Sequence, residues 1–178
     1  MKLYVVRHGE TIDNVLNLVQ GQNDSELTLK GIKDAYKLQS KINKLKIDII
    51  FSSPLKRAKD TAKIITNNKL PINIDDRLIE RDWGLCERAS LDIVDRVKCW
   101  NCNLDYKENS IEPLSQFIKR ISEFIEDIKV KYKDKNILIV THSAVSRVIY
   151  YYLNGFPKDG DLSKKNISNL EIKEYKIK

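Results

Sequence analysis

Hydrophobic and polar positions follow two rhythms along this chain: short continuous apolar runs, and longer stretches that turn apolar every third or fourth residue. Lys2–Arg7 is the first run and reads as a buried strand. A polar loop with Asn14, Gln20, Gly21 and Asp24 follows. Thr28 then fits the N-cap of a helix whose apolar face is Ile32, Ala35, Leu38, Ile42 and Leu45. Ile47–Phe51 is a second strand. Ser53 is placed to cap the next helix with Pro54 at its first position, where a missing N–H costs nothing, and that helix runs to about Asn67. Ile72–Ile74 is a short third strand. Pro113 opens a long amphipathic helix that turns Leu114, Phe117, Ile118, Ile121, Phe124, Ile125 and Ile128 inward. Asn136–Thr141 is the fourth strand, followed by a helix to Leu153 with Gly155 just beyond it. Ser168–Ile177 alternates more loosely and reads as a last, edge strand.

Strands alternating with helices predict an α/β domain over residues 1–178. Its expected form is three-layered, with a mainly parallel central sheet and helices on both faces. Residues 83–112 break the rhythm and read as a lid or specificity segment over a site.

Composition narrows the classes. The 178 residues, 42% apolar and 32% charged, describe an ordinary soluble protein able to bury a core. No apolar run reaches the roughly 18 residues of a membrane span, and Lys2–Val6 is too short for a secretory h-region, so a cytoplasmic protein with no membrane partner is expected. The net charge of +7 raises the question of nucleic acid. Lys30, Lys33, Lys37, Lys41, Lys44 and Lys46 are scattered through helical positions, however, with no interleaved aromatics. They read as a solvated basic surface, suited to drawing in small phosphorylated metabolites rather than nucleic acid. Cys86, Cys99 and Cys102 are odd in number and imply no disulfide framework. Cys99-Trp100-Asn101-Cys102 has half the spacing of a zinc site but no second cysteine pair, and no metal or other cofactor is expected there.

The candidate chemistry sits at strand ends. Arg7 and His8 close the first strand and Gly9 lets the backbone turn close to a ligand. Ser52 and Ser53 close the second strand, with Arg57 just inside the next helix. Thr141, His142 and Ser143 close the fourth. A phosphate among them would meet guanidinium forks, imidazoles and helix N-terminal amides.

Arg7-His8-Gly9-Glu10-Thr11, with Asn14, Gly21 and Asp24, resembles the opening signature of the histidine phosphatase superfamily, the phosphoglycerate mutase-like family. Ser52-Ser53-Pro54-Leu55-Lys56-Arg57-Ala58 with Thr61 and Ala62 is similar to its second motif. Leu78-Ile79-Glu80 with Gly84 is similar to its acid-bearing segment, and Ile139-Val140-Thr141-His142 to its last motif. The likeness spans nearly the whole chain in order and implies a phosphoglycerate mutase-like fold. It implies that His8 becomes a phosphohistidine and that Arg7, Arg57 and His142 bind the phosphoryl group. Asn14, Gln20, Gly21 and Ser143 join them as substrate-binding candidates. Glu80 is implied as the acid that protonates the leaving oxygen and then the base for water. A salt bridge from Glu80 to Arg77 or Arg81 is the competing structural role, and Asp82 and Glu87 are alternative acids.

The chain departs from the family pattern on the leaving-group side. Ser143 stands where glycine is common, Cys86-Glu87-Arg88 where Trp-Glu-Gly is usual, and Ile111-Glu112-Pro113 where Gly-Glu-Ser is usual. The short 83–112 segment lacks the extra chain of the phosphoglycerate mutases. The expectation is therefore a metal-independent phosphatase of small phosphomonoesters, monomeric or homodimeric, similar to the compact bacterial and α-ribazole phosphatase branch. A cofactor-dependent phosphoglycerate mutase-type phosphotransferase and a non-catalytic phospholigand-binding protein are the alternatives.

Overall fold

Among the described residues five strands, β1 (Lys2–Arg7), β2 (Ile49–Ser52), β3 (Ile72–Ile74), β4 (Asn136–Thr141) and β5 (Ile172–Lys176), lie in one sheet in the order β3-β2-β4-β1-β5, so the two strands expected to carry the histidines, β1 and β4, are neighbours within it. The computed structural model describes residues 1–104 and 106–177; Asp105, inside the 83–112 segment, and Lys178 lie outside the described residues. In chain order the elements are β1 (Lys2–Arg7), α1 (Ile12–Val15), α2 (Leu29–Lys44), β2 (Ile49–Ser52), α3 (Lys56–Thr66), β3 (Ile72–Ile74), α4 (Arg96–Cys99), α5 (Leu114–Lys131), β4 (Asn136–Thr141), α6 (Ser143–Asn154) and β5 (Ile172–Lys176). β1, β4, β2 and β3 run parallel, and β5 pairs antiparallel with β1 at the edge, as its looser alternation suggests.

The continuous apolar strands are explained by burial on both faces. Side chains alternate across a strand, and the core divides accordingly. Leu3, Val5, Phe51, Ile137 and Ile139 join Phe117, Ile121, Phe124, Val145 and Val148 of α5 and α6. Tyr4, Val6, Ile50, Leu138 and Val140 join Ala35, Ile42, Ala58, Ala62 and Ile65 of α2 and α3. This is the three-layer arrangement expected.

Local readings hold with four exceptions, one being that the edge strand β5 begins at Ile172 rather than Ser168. Thr28 caps α2 by accepting the Gly31 N–H at 2.9 Å. Ser53 and Pro54, by contrast, precede the helix: the N-cap of α3 is Leu55, which makes no side-chain cap, and the Ser53 hydroxyl is engaged elsewhere. β2 begins at Ile49, not Ile47. The polar loop after β1 contains one helical turn, α1, held by a capping box between Thr11 and Asn14.

Candidate active site

Strand register brings the histidines together. Arg7 pairs with Thr141 across β1 and β4, and the next amide continues the ladder, His8 N–H donating to the Thr141 carbonyl at 2.9 Å. His8 and His142 therefore leave the sheet side by side, with ring centroids 5.2 Å apart. On the other side of β4, Ser53 N–H donates to the Val140 carbonyl at 3.1 Å. That sets the Ser53 hydroxyl 2.7 Å from His142 Nε2. Because Ser53 Oγ also accepts the Leu55 N–H, its own proton is available to His142 Nε2, which leaves the ring proton on Nδ1.

His8 is buried, and its Nδ1 lies 2.8 Å from the Gly9 carbonyl. A carbonyl only accepts, so Nδ1 carries the proton and the lone pair is on Nε2. Burial, followed by the charges of Arg57 and Arg7, holds the His8 imidazole well below its ordinary range despite the opposing Gly9 bond. His142 is held down likewise, by burial first and then by Arg57, His8 and Arg7. Both rings are neutral at neutral pH.

Gly9 differs from the reading that it opens the backbone to a ligand. A Cβ there would lie 3.2 Å from the Gly31 carbonyl oxygen, so Gly9 instead permits tight packing against the start of α2. Gly9 N–H is fixed by Thr61 Oγ1 at 3.0 Å, which ties the first motif to α3.

Arg57, at 1% exposure, donates to the Asn23 carbonyl at 2.7 Å and the Gly21 carbonyl at 2.6 Å. Its Nη1 also lies 3.3 Å from Asp24 Oδ1. Arg7 donates to the Ile167 carbonyl at 3.0 Å. Of four buried side-chain nitrogen and oxygen atoms left without a partner among the described residues, three are Arg7 Nε, Arg57 Nε and His142 Nδ1. An acceptor-rich anion is the kind of group that could satisfy all three.

Glu80 is buried, with Oε1 accepting the Arg81 N–H at 2.9 Å and Oε2 the Ala144 N–H at 3.2 Å. Burial raises its pKa against those two bonds and the charges of Arg57 and Arg7. The segment is positioned by Thr141, whose hydroxyl donates to the Leu78 carbonyl, and by Arg120, which reaches the Arg77, Ile79 and Glu80 carbonyls. Arg77 instead pairs with Asp75 and Asp127, and Arg81 donates to the Cys99 and Glu112 carbonyls. Asp82 accepts the Gly84 N–H. Glu87 accepts from the backbone of Gln22, Asn23 and Trp83, and Glu112 pairs with Arg120. Among the described residues, Glu80 is the carboxylate that lines the cavity.

That cavity, about 190 Å³, is lined by Arg7, His8, Asn14, Gln20, Gly21, Arg57, Glu80 and Ser143. His142 is not among the lining residues, and its ring adjoins that of His8. Asn14 Oδ1 accepts from Asn169, whose amide also holds the His8 carbonyl, and Gln20 Oε1 accepts the Thr11 hydroxyl. The Ser143 hydroxyl donates to Asn166 Oδ1 rather than standing free. Sequence reasoning did not single out Leu18, Val19, Trp83, Leu91, Val94, Arg96, Trp100, Ala144, Arg147 and Asn166, which complete the lining. For Trp83, Leu91, Val94, Arg96 and Trp100 the available signal was membership of the irregular 83–112 segment. For Ala144 and Arg147 it was closeness to His142, and for Leu18 and Val19 closeness to Gln20; Asn166 carried none. Among the described residues no group of three or more His, Cys, Asp and Glu is placed to hold a metal, and no helix is long and apolar enough to cross a membrane.

A family model described as histidine phosphatase superfamily (branch 1) matches residues 3–178. The adenosylcobalamin/alpha-ribazole phosphatase of Escherichia coli (strain K12) is 29% identical over 168 residues, covering 89% of this chain and 82% of that protein. A probable phosphoglycerate mutase of Erwinia tasmaniensis is 30% identical over 168 residues, covering 90% of this chain and 78% of that protein. The crystal structure of a phosphoserine phosphatase mutant from Entamoeba histolytica in complex with phosphoserine superposes with a TM-score of 0.85 at 27% identity. That match covers 97% of this chain and 89% of the other.

Proposed function

The chain belongs to the histidine phosphatase superfamily, branch 1, and is a phosphatase; from that premise we propose that it hydrolyses small phosphomonoesters, without a metal, through a phosphohistidine on His8. The observation that carries this reading is the neutral, buried His8, whose Nδ1 is tied to Gly9 so that Nε2 holds the lone pair, beside unpartnered donors on Arg7, Arg57 and His142. Nε2 forms the N–P bond as the ester P–O bond breaks. The guanidiniums and the His142 Nδ1–H hold the equatorial oxygens, in place of a cation, as charge develops. Glu80, whose pKa burial raises, gives its proton to the leaving oxygen. The resulting carboxylate then takes a proton from water as the water oxygen attacks phosphorus and the N–P bond breaks.

The 83–112 segment acts in this reading as a cover over the leaving group, supported by Trp83, Leu91, Val94, Arg96 and Trp100 in the cavity wall. The chain functions as one domain, and a cytoplasmic setting agrees with its free cysteines. Names among its relatives span α-ribazole, phosphoglycerate and phosphoserine chemistry, so family membership alone leaves the alcohol open.

The test is phosphate release from a panel of sugar phosphates, phosphoglycerates, nucleotides, phosphoserine and α-ribazole phosphate, with acid-labile phosphoenzyme trapped in parallel. His8→Ala is expected to lower turnover by about a thousandfold or more and to abolish the trapped species. Substantial residual hydrolysis, or label on another residue, would overturn the covalent assignment. Isomer interconversion without phosphate release would favour the mutase alternative.

A further inference from the structure

The cavity holds two guanidiniums that the chemistry at His8 leaves unused. Arg147, on α6, is 7% exposed; its Nε donates to the Lys165 carbonyl at 2.6 Å and its guanidinium carbon sits 3.9 Å from the Trp100 ring centroid. Trp100 is itself braced edge-on by Trp83, centroids 5.8 Å apart. Stacking on an indole and a bond through Nε fix the plane of the fork while leaving its two terminal nitrogens for another partner. Arg96, exposed at the start of α4, lines the same cavity.

Among the described residues neither guanidinium has a carboxylate within ion-pair distance, although ion pairs are common elsewhere on the molecule. Burial lowers Arg147 to about 10, with Glu80 opposing and Arg96 pushing the same way. Two like charges converging on one pocket destabilise each other unless an anion enters. The phosphoryl group does not answer this need, since Arg7, Arg57 and His142 already supply its donors.

We propose that Arg147 and Arg96 form a second anion subsite, so that the preferred substrate is a phosphomonoester whose leaving alcohol carries another anionic group, a carboxylate or a phosphate. Trp83, Leu91 and Val94 make the remaining wall apolar, which suits the carbon skeleton between the two anions. The inference rests on the phosphomonoesterase reading for the position of the first phosphate.

Matched probes test it by binding to His8→Ala protein, so that turnover is not needed. Phosphoserine is paired with phosphoethanolamine and para-carboxyphenyl phosphate with phenyl phosphate; each pair differs by one carboxylate. Propanediol bisphosphate against propyl phosphate reads a second phosphate. In at least one pair the doubly anionic member is expected to bind about tenfold tighter or more, and which pair responds identifies the anion. Arg96→Gln and Arg147→Gln should pull that ratio towards one, and Arg147→Lys, which keeps charge but not the fork, should fall between. Arg147 is buried, so if its glutamine variant does not fold, Arg96→Gln and Arg147→Lys carry the test. Equal binding within every pair, or a ratio unmoved in both of those variants, would overturn the subsite. Failure of the phosphatase reading looks different: the unmodified protein would release no phosphate from any ester while the binding ratios remained readable.

Discussion

At the phosphate end of the cavity, Arg7, His8 and His142 stand at the ends of adjacent parallel strands, with Arg57 in the first turn of the helix that follows the next strand. At the leaving-group end, Trp83, Leu91, Val94, Arg96 and Trp100 come from a run of single helical turns between β3 and α5. The first set is fixed by sheet register, which cannot slip by one residue without exchanging the two faces of the core. The second is fixed by side-chain bonds between loops, such as Arg81 to the Cys99 and Glu112 carbonyls, which tolerate change more readily. A rigid phosphate grip joined to an adaptable wall suits one chemistry applied to many alcohols.

The sharpest way to break this contrast after loss of the nucleophile is Arg57→Lys. Lysine keeps the charge but cannot span the Gly21 and Asn23 carbonyls and the phosphate together. We expect kcat/KM to fall about a hundredfold for every phosphomonoester tested, whatever its alcohol. A loss confined to some alcohols, or only a few-fold in size, would mean that charge alone suffices and that the two ends are not separately built.

The same contrast governs what was legible in the sequence. Strand ends announce themselves, because an apolar run that stops on a polar residue fixes both element and position. The sequence alone therefore places Arg7, His8, Arg57 and His142 together. Ser53 was legible as a strand-end residue but misread as a helix cap, since its bond to His142 depends on the β2–β4 register that one sequence does not state. Arg147 was invisible for a related reason. On α6 it sits among Val145, Val148 and Ile149 and reads as one polar position on a buried helix; only the structure shows it stacked on Trp100 and lining the cavity. Glu87 looked like a candidate acid from its neighbourhood, and the backbone amides that occupy it come from a loop more than sixty residues earlier.

Glu80→Gln sharpens the boundary between the two ends, because in the proposed mechanism Glu80 acts on the bond that joins them. A good leaving group needs no proton, so nitrophenyl phosphate should lose only a few-fold. Alkyl phosphates should lose about a hundredfold. The pH profile carries a separate signature. As the proposed nucleophile, His8 is active when neutral, and its pKa lies well below 6.5, so activity is expected to rise with pH through that depressed value. As the proposed acid, Glu80 is active when protonated, and its pKa lies above 4.5, so activity is expected to fall as pH rises through that elevated value. In Glu80→Gln the falling limb of kcat/KM should vanish while the rising limb stays. Persistence of both limbs would assign the acid to another group.

Glu87→Gln has the smallest expected effect and probes what links the two ends. The carboxylate accepts from Gln22 N–H at 2.7 Å, Asn23 N–H at 3.1 Å and Trp83 N–H at 3.2 Å, joining the loop that holds Arg57 to the first residue of the leaving-group wall. Gly21 has φ +54°, and a Cβ there would come within 1.9 Å of Glu87 Oε1, so the carboxylate is packed against that loop as well as bonded to it. An amide has one acceptor oxygen and presents N–H donors where N–H groups already point, which costs about 1–3 kcal/mol for the lost charged hydrogen bonds. We expect a lower midpoint of thermal unfolding and a drop of several-fold in kcat/KM that is the same for singly and doubly anionic esters, because the whole link loosens. A drop restricted to doubly anionic esters would show that Glu87 serves the leaving-group wall alone. The phosphate grip would then stand without support from the loops that cover it.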